Sequence, residues 1–321
     1  MVRNQGGLSL SERSAWIQLL VSLFYIIVIG GGILILLIIP GYFIFSPADD
    51  LWNDNSLVPA LNDVGFLIYS IMSQHIAVFI IPGLILFKML NSTCKESHPE
   101  FGNPGWSSIW SVMILTICIM PLAGLSNELT MLIKFPEWLS GFEKWIEEKE
   151  MFSDRLFDSF FIYKSLLLVI LNILMIIILP GIGEELVFRG VIQPVIGRLF
   201  RSEYSGVLIT SFIFSAVHLQ LNGFMPRFIL GIVCGLLFLW TGKLWLSVIF
   251  HAMNNSLAMI GEYTVDVSSG VSPEPGYIIV GRVIVMLLLL IPAVKILGNL
   301  RKQYLPVQRA DLQVENHDPQ V

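Results

Sequence analysis

Pro180-Gly181-Ile182-Gly183-Glu184-Glu185-Leu186-Val187-Phe188-Arg189-Gly190 is the stretch on which the reading of the chain turns. It follows an apolar run, Tyr163 to Leu179, and sets two acids and an arginine among apolar residues. In lipid an ionisable side chain costs roughly 2.5 kcal/mol or more even on the mildest insertion scale, so it persists only when paired, when it reaches water, or when it works. Phe214-Ser215-Ala216-Val217-His218 and His251-Ala252-Met253-Asn254-Asn255 repeat the pattern further on. Together these groups read as one buried site, with the remaining helices as its housing.

The surroundings agree. Of 321 residues 55% are hydrophobic and 13% charged, about half the charge of an ordinary soluble domain. The fold class is therefore all-α, a polytopic membrane helix bundle. The net charge of -5 comes from acids gathered in a few loops, and no basic run points to nucleic acid. Cys94, Cys118 and Cys234 are odd in number and contain no CxxC pair, which argues against a disulfide framework or a thiolate metal site and for apolar fillers. The apolar run after Arg3 and Arg13 is too long for a signal-peptide core, so the amino end is expected to be retained.

Runs of about twenty apolar residues can cross a bilayer as helices. Trp16 to Phe45, Val64 to Phe87, Ser107 to Leu125 and Tyr163 to Leu179 are the first four, and Gly30-Gly31-Gly32 in the first predicts close helix packing. Pro82-Gly83 predicts a kink and Pro180-Gly181 a break, because proline removes a donor and glycine permits a turn. Beyond it come Glu184 to Phe200, Val207 to Leu219, Phe228 to Trp240, Leu244 to Ile260 and Tyr277 to Leu297. The expectation is about eight spanning helices with a broken or re-entrant segment near Glu184. The chain then divides into 1–15, a cytoplasmic segment; 16–125, the first transmembrane helices; 126–160, an extramembrane loop; 161–262, the core that carries the site; 263–300, a loop and final helix; and 301–321, a polar tail, of which 311–321 reads as lacking order.

Lysines and arginines collect on cytoplasmic flanks. With the amino end inside, Lys88, Lys95, Arg198, Arg201, Lys243, Lys295, Arg301, Lys302 and Arg309 also fall inside, while Asp49, Asp50, Asp54, Asp63, Glu262, Asp266 and Glu274 fall outside. Both termini are then cytoplasmic, in a protein of the cell membrane. Between Phe135 and Ile146 apolar residues recur at three- and four-residue spacing. This predicts either a helix on the outer membrane surface, with Trp138 and Trp145 at headgroup depth, or an amphipathic lid packed on the protein itself.

The chemistry follows from residue types and spacing. Arg189 stands one helical turn after Glu185, so an ion pair between them would neutralise Glu185 and leave Glu184 able to act as base for a water. His251 and Asn255 stand four apart on one helix face and can both donate to one oxygen, as a developing oxyanion requires. Asn254 points elsewhere by the same spacing. Each motif alone has a plain structural reading: acids capping a helix while Arg189 snorkels, an interfacial His218, and a His251–Asn255 pair that only joins helices.

The combination is more specific. It resembles the CAAX prenyl endopeptidase and bacteriocin-processing family of intramembrane proteases, also called the Abi family. The matching residues are Glu184-Glu185-x-x-x-Arg189, Phe214-x-x-x-His218 and His251-x-x-x-Asn255, in order, within roughly Leu174 to Ile260. The resemblance implies a peptide-bond hydrolase sited in the membrane and acting on a membrane-associated peptide or protein, prenylated CAAX tails being the substrates of eukaryotic relatives. It gives Glu184 the activation of water, His218 its assistance, His251 and Asn255 the oxyanion, and Glu185 with Arg189 the support of the site. The part of His218 comes from the resemblance alone.

No cofactor is expected. One Glu and two His could ligate zinc, but His-Glu-x-x-His and a close His pair are absent, so a glutamate-activated water is favoured over a metal. The alternatives from other classes are a non-catalytic protein for bacteriocin self-immunity or partner sequestration, and an ion-binding transporter. A plain count of spans leaves Glu184 and His218 near opposite faces of the membrane. They can cooperate only if a segment re-enters or a helix is tilted or shifted.

Overall fold

The computed structural model describes residues 9–45, 63–91, 103–131, 135–161, 165–264 and 276–315. These residues contain no strand. Their helices are α1 (Ala15–Phe45), α2 (Val64–Leu90), α3 (Trp106–Met131), α4 (Ser140–Ser159), α5 (Leu166–Leu199), α6 (Glu203–Ala216), α7 (Phe224–Thr241), α8 (Leu244–Thr264) and α9 (Gly276–Glu315). All but α4 and α6 are long and apolar enough to cross a membrane, which makes seven spans among the described residues. The expected eighth, around Val207 to Leu219, is α6, whose 14 residues reach only about 21 Å.

The interior holds apolar clusters, but unlike a soluble bundle the outside is apolar too and several polar groups are enclosed. Leu20, Ile27, Leu36 and Ile44 of α1 and Leu287, Leu288 and Val294 of α9 face outwards, while Gln18, Ser22, Ser73, Asn172 and Ser247 are buried. Lipid accepts the apolar faces; the polar groups need partners that only the protein supplies. Gln18 shows the pattern, donating to the carbonyls of Leu10, Ser11 and Arg13 and accepting from Arg198 Nη2 at 2.6 Å, which ties α1 to α5. Of the three consecutive glycines in α1, only Gly30 is a close approach: a Cβ there would stand 2.9 Å from the Ala77 carbonyl oxygen of α2, whereas Gly31 and Gly32 meet nothing within 4 Å.

The expected break at Pro180–Gly183 does not occur. α5 runs without interruption from Leu166 to Leu199, and Glu184 is mid-helix rather than at a helix start. Pro180 has no N–H for the carbonyl of Ile176 four residues back, and its ring crowds that carbonyl. Two features absorb the defect. The helix widens into a π-turn over Ile173–Ile178, and Asn255 Nδ2 donates to Ile176 O at 2.8 Å from α8. Similar π-turns, His75–Ile80 and Phe188–Ile192, end two residues before Pro82 and Pro194.

Continuity of α5 also removes the mismatch in depth. The chain turns tightly between Leu199 and Glu203; Glu184 lies fifteen residues before the turn and His218 fifteen after it. Both then stand about 22 Å from it along antiparallel helices. α6 ends at Ala216, and α7 is preceded by Gly223 (φ 79°), a left-handed position that glycine adopts without strain.

α4 carries the amphipathic segment from Ser140 on, and one contact packs it onto the protein. Trp138, just before it, and Phe142, Trp145, Met151 and Phe152 on it are exposed, while Glu150 Oε1 accepts from Asn222 N at 2.7 Å and anchors α4 over the α6–α7 connection. α9 continues to Glu315, into the stretch read as a polar tail. The readings that rest on Arg3, Asp49, Asp50, Asp54, Cys94, Lys95, Asp266, Glu274 and 316–321 lie outside the described residues. Asp63 does not: its carboxylate accepts from Phe66 N at 2.9 Å and caps α2. Gly30→Ala is expected to lower thermal stability in detergent by about 1–3 kcal/mol through overpacking, and Gly31→Ala to leave it unchanged; paired melting curves check the difference.

Candidate active site

Adjacent helical residues diverge by about 100°, and α5 uses this to separate its two acids. Glu185 points into protein, 0% exposed, with Oε2 3.2 Å from Arg189 Nε one turn on. Arg189, also enclosed, donates from Nη2 to the Gly231 carbonyl at 3.2 Å and lies 5.0 Å from the centre of the Phe214 ring. Close contact with α7 makes this possible, since Gly231 packs where a Cβ would stand 3.0 Å from Ser211 Cβ. Glu184 points the other way, into a cavity.

His251 of α8 bridges the two acids. Its Nδ1 is 2.9 Å from Glu185 Oε1 and its Nε2 is 3.9 Å from Glu184 Oε2. An ionised carboxylate only accepts, so Nδ1 carries the proton shared with Glu185; Nε2 then offers a lone pair in the neutral ring and a donor in the cationic one. His218, exposed just past the end of α6, is fixed in the same way, its Nδ1 2.8 Å from the Phe214 carbonyl. That bond leaves Nε2 as the acceptor in the neutral ring. Phe214 joins the parts: its ring meets His218 edge-on at 5.2 Å, His251 at 5.9 Å and Phe188 at 5.2 Å. The motif's phenylalanine thus braces an arginine and two histidines at once.

Glu184, Glu185, Arg189, Phe214, His218, His251 and Asn255 all line one cavity of about 630 Å³. The cavity is walled mainly by apolar side chains such as Met120, Met175, Phe157 and Phe160. Asn254 lines it too, against the expectation that it points elsewhere, with Nδ2 3.5 Å from Asn255 Oδ1. Asn255 spends one amide hydrogen on Ile176 O and has a second to offer. Among the described residues no group of three or more His, Cys, Asp or Glu side chains is arranged to hold a metal ion.

Two cavity residues escaped the sequence reading. His75 of α2 has Nδ1 3.9 Å from Glu184 Oε1, and a histidine inside an apolar span was itself the available signal. Arg227 of α7 donates to Gln220 Oε1 and to the Asn222 carbonyl, both at 2.9 Å. Its place just inside a helix start hid it among interfacial cations. Cys118 and Cys234 are buried in the apolar core. Removing one member of a buried ion pair strands the other, so Glu185→Ala is expected to cost about 3–5 kcal/mol of stability and Glu184→Ala much less. Thermal unfolding of both variants in detergent checks the order.

Comparison with known proteins finds similarity over the segment that holds the motifs. Residues 166–257, which span α5 to most of α8, match the family model described as type II CAAX prenyl endopeptidase Rce1-like. A 119-residue stretch is 34% identical to an uncharacterised 24.3 kDa protein of Escherichia coli, covering 35% of this chain and 51% of that protein. The chain thus spans about half the length of this curated relative. No solved structure matches. Residues 166–257 of this integral membrane protein, which hold all three motifs, are thus similar to the Rce1-like domain of type II CAAX prenyl endopeptidases.

Proposed function

We propose that the protein is an intramembrane endopeptidase that hydrolyses a peptide bond of a membrane-associated peptide or protein. A prenylated tail of the Cys-aliphatic-aliphatic-X type is the substrate that the family description supports. The observation that carries this reading is the setting of Glu184, a carboxylate in a cavity of about 630 Å³ with an imidazole nitrogen 3.9 Å from each of its two oxygens. Such gaps are too long for direct hydrogen bonds, which leaves Glu184 unbonded to either imidazole and beside the cavity.

Glu184 takes a proton from the attacking water, and His218, through its free Nε2, assists. The carbonyl oxygen gains charge as the C–O bond forms. His251, when its Nε2 is protonated, and the second amide hydrogen of Asn255 stabilise it. Glu185 and Arg189 hold His251 in orientation and balance its charge. The apolar walls exclude bulk water and strengthen each of these interactions. Water activation rests on Glu184 with His218, without a metal. The excess of lysine and arginine on one side supports cytoplasmic termini in the plasma membrane.

The test uses purified full-length protein in detergent and a farnesylated, internally quenched peptide ending in Cys-Val-Leu-Ser. Wild type is expected to cleave it and Glu184→Ala to lose at least about 100-fold in rate, the usual minimum for a general base, while keeping its melting temperature. Undiminished cleavage by Glu184→Ala would overturn the assignment in favour of a sequestering or immunity protein. Prolonged treatment with 1,10-phenanthroline is expected to leave the rate unchanged. Inhibition reversed by added zinc would contradict the metal-independent mechanism.

A further inference from the structure

His75 is a buried ionisable group that the mechanism above does not use. It lies on α2, outside residues 166–257 and outside the three motifs. The residue is 9% exposed, and among the described residues its Nδ1 has no hydrogen-bond partner. A buried ring nitrogen left without a partner carries a desolvation cost and calls for an explanation. That atom stands 3.9 Å from Glu184 Oε1, and the residue lines the cavity.

Its position is set by backbone packing. His75 opens the π-turn that runs to Ile80. The following residues press against α5 one position before the glutamate: a Cβ on Gly183 would stand 3.0 Å from Phe79 Cβ and 3.1 Å from Ile80 Cγ1. The imidazole leans on Phe79, centroids 5.6 Å apart, and Phe79 leans on Phe188 of α5 at 6.4 Å. Neither the ring nor its distance from Glu184 depends on a mobile loop.

We infer that His75 is a catalytic residue that holds the attacking water from the side opposite His251. The inference rests on the proposed peptidase reading. One O–H of the water points to Glu184 and the other to the lone pair of His75 Nδ1, which aims the oxygen's own lone pair at the scissile carbonyl. The C–O bond forms as the first proton passes to Glu184. The C–N bond then breaks as Glu184 returns that proton to the leaving nitrogen. His75 keeps its hold on the second O–H, which becomes the hydroxyl of the product acid. Motif comparison cannot find this residue, since it enters from a helix that the matched segment lacks.

The test compares His75→Phe, which keeps a ring against Phe79, and His75→Asn, whose amide oxygen restores an acceptor near the Nδ1 position, with wild type and Glu184→Ala on the quenched farnesylated peptide. His75→Phe is expected to lower kcat by about 10- to 100-fold with KM within twofold, and His75→Asn to regain most of the loss. Both should melt within a few degrees of wild type; where His75→Phe does not fold, the kcat of His75→Ala against His75→Asn decides. Wild-type kcat in His75→Phe, or a His75→Asn no faster than His75→Phe, overturns the role of His75 while an inert Glu184→Ala keeps the peptidase reading. An active Glu184→Ala, or an inert wild type, overturns that reading and this inference with it.

Discussion

Two neighbouring carboxylates cannot both remain charged in a waterless interior unless each is given something to face, and the fold is arranged around that constraint. Glu185 receives the direct partners: Arg189 at 3.2 Å and His251 at 2.9 Å. Glu184 receives no direct partner and two imidazoles at 3.9 Å, with a cavity before it. One acid is made structural so that the other can be left reactive. The divergence of successive residues around a helix is enough to separate the two tasks. It works only if α5 stays helical through the motif, which the π-turn before Pro180 and the amide of Asn255 make possible.

The same economy governs packing. Apolar association gives little in lipid, so helices must approach closely and exchange hydrogen bonds. Gly30, Gly183 and Gly231 mark approaches of about 3 Å to a neighbouring helix, and these bring α1 to α2, α2 to α5, and α7 to α6. α5 and α6 share the arrangement, because equal distances along them from the turn between Leu199 and Glu203 bring His218 to the level of Glu184. α4 contributes Phe157 to the cavity wall, and Phe160 follows at its end, while Phe142, Trp145 and Phe152 on it are exposed.

Much of this was legible in the sequence. Composition and apolar runs fixed an all-α membrane bundle, and four-residue spacing put Arg189 beside Glu185. The motif set pointed to the family that residues 166–257 match. The continuity of α5 was hidden because local rules assign a proline followed by glycines to a break, and the compensating partner, Asn255, lies 79 residues from the carbonyl it satisfies. The shared level of Glu184 and His218 was misjudged because the expected break at Pro180 put Glu184 at the end of a span, whereas the continuous α5 places it mid-helix. His75 was missed since a lone histidine acquires meaning only from the helix it meets.

The central claim is that the motif side chains face one wet hollow inside a lipid-covered bundle. In native membranes, and in a chain whose own cysteines are replaced, labelling of Glu184→Cys, His218→Cys and Leu36→Cys by a small charged methanethiosulfonate tests it most directly. The account predicts modification of the first two and none of Leu36→Cys, whose parent residue faces outwards at 70% exposure. Protection of both motif positions to the same degree as Leu36→Cys would contradict it.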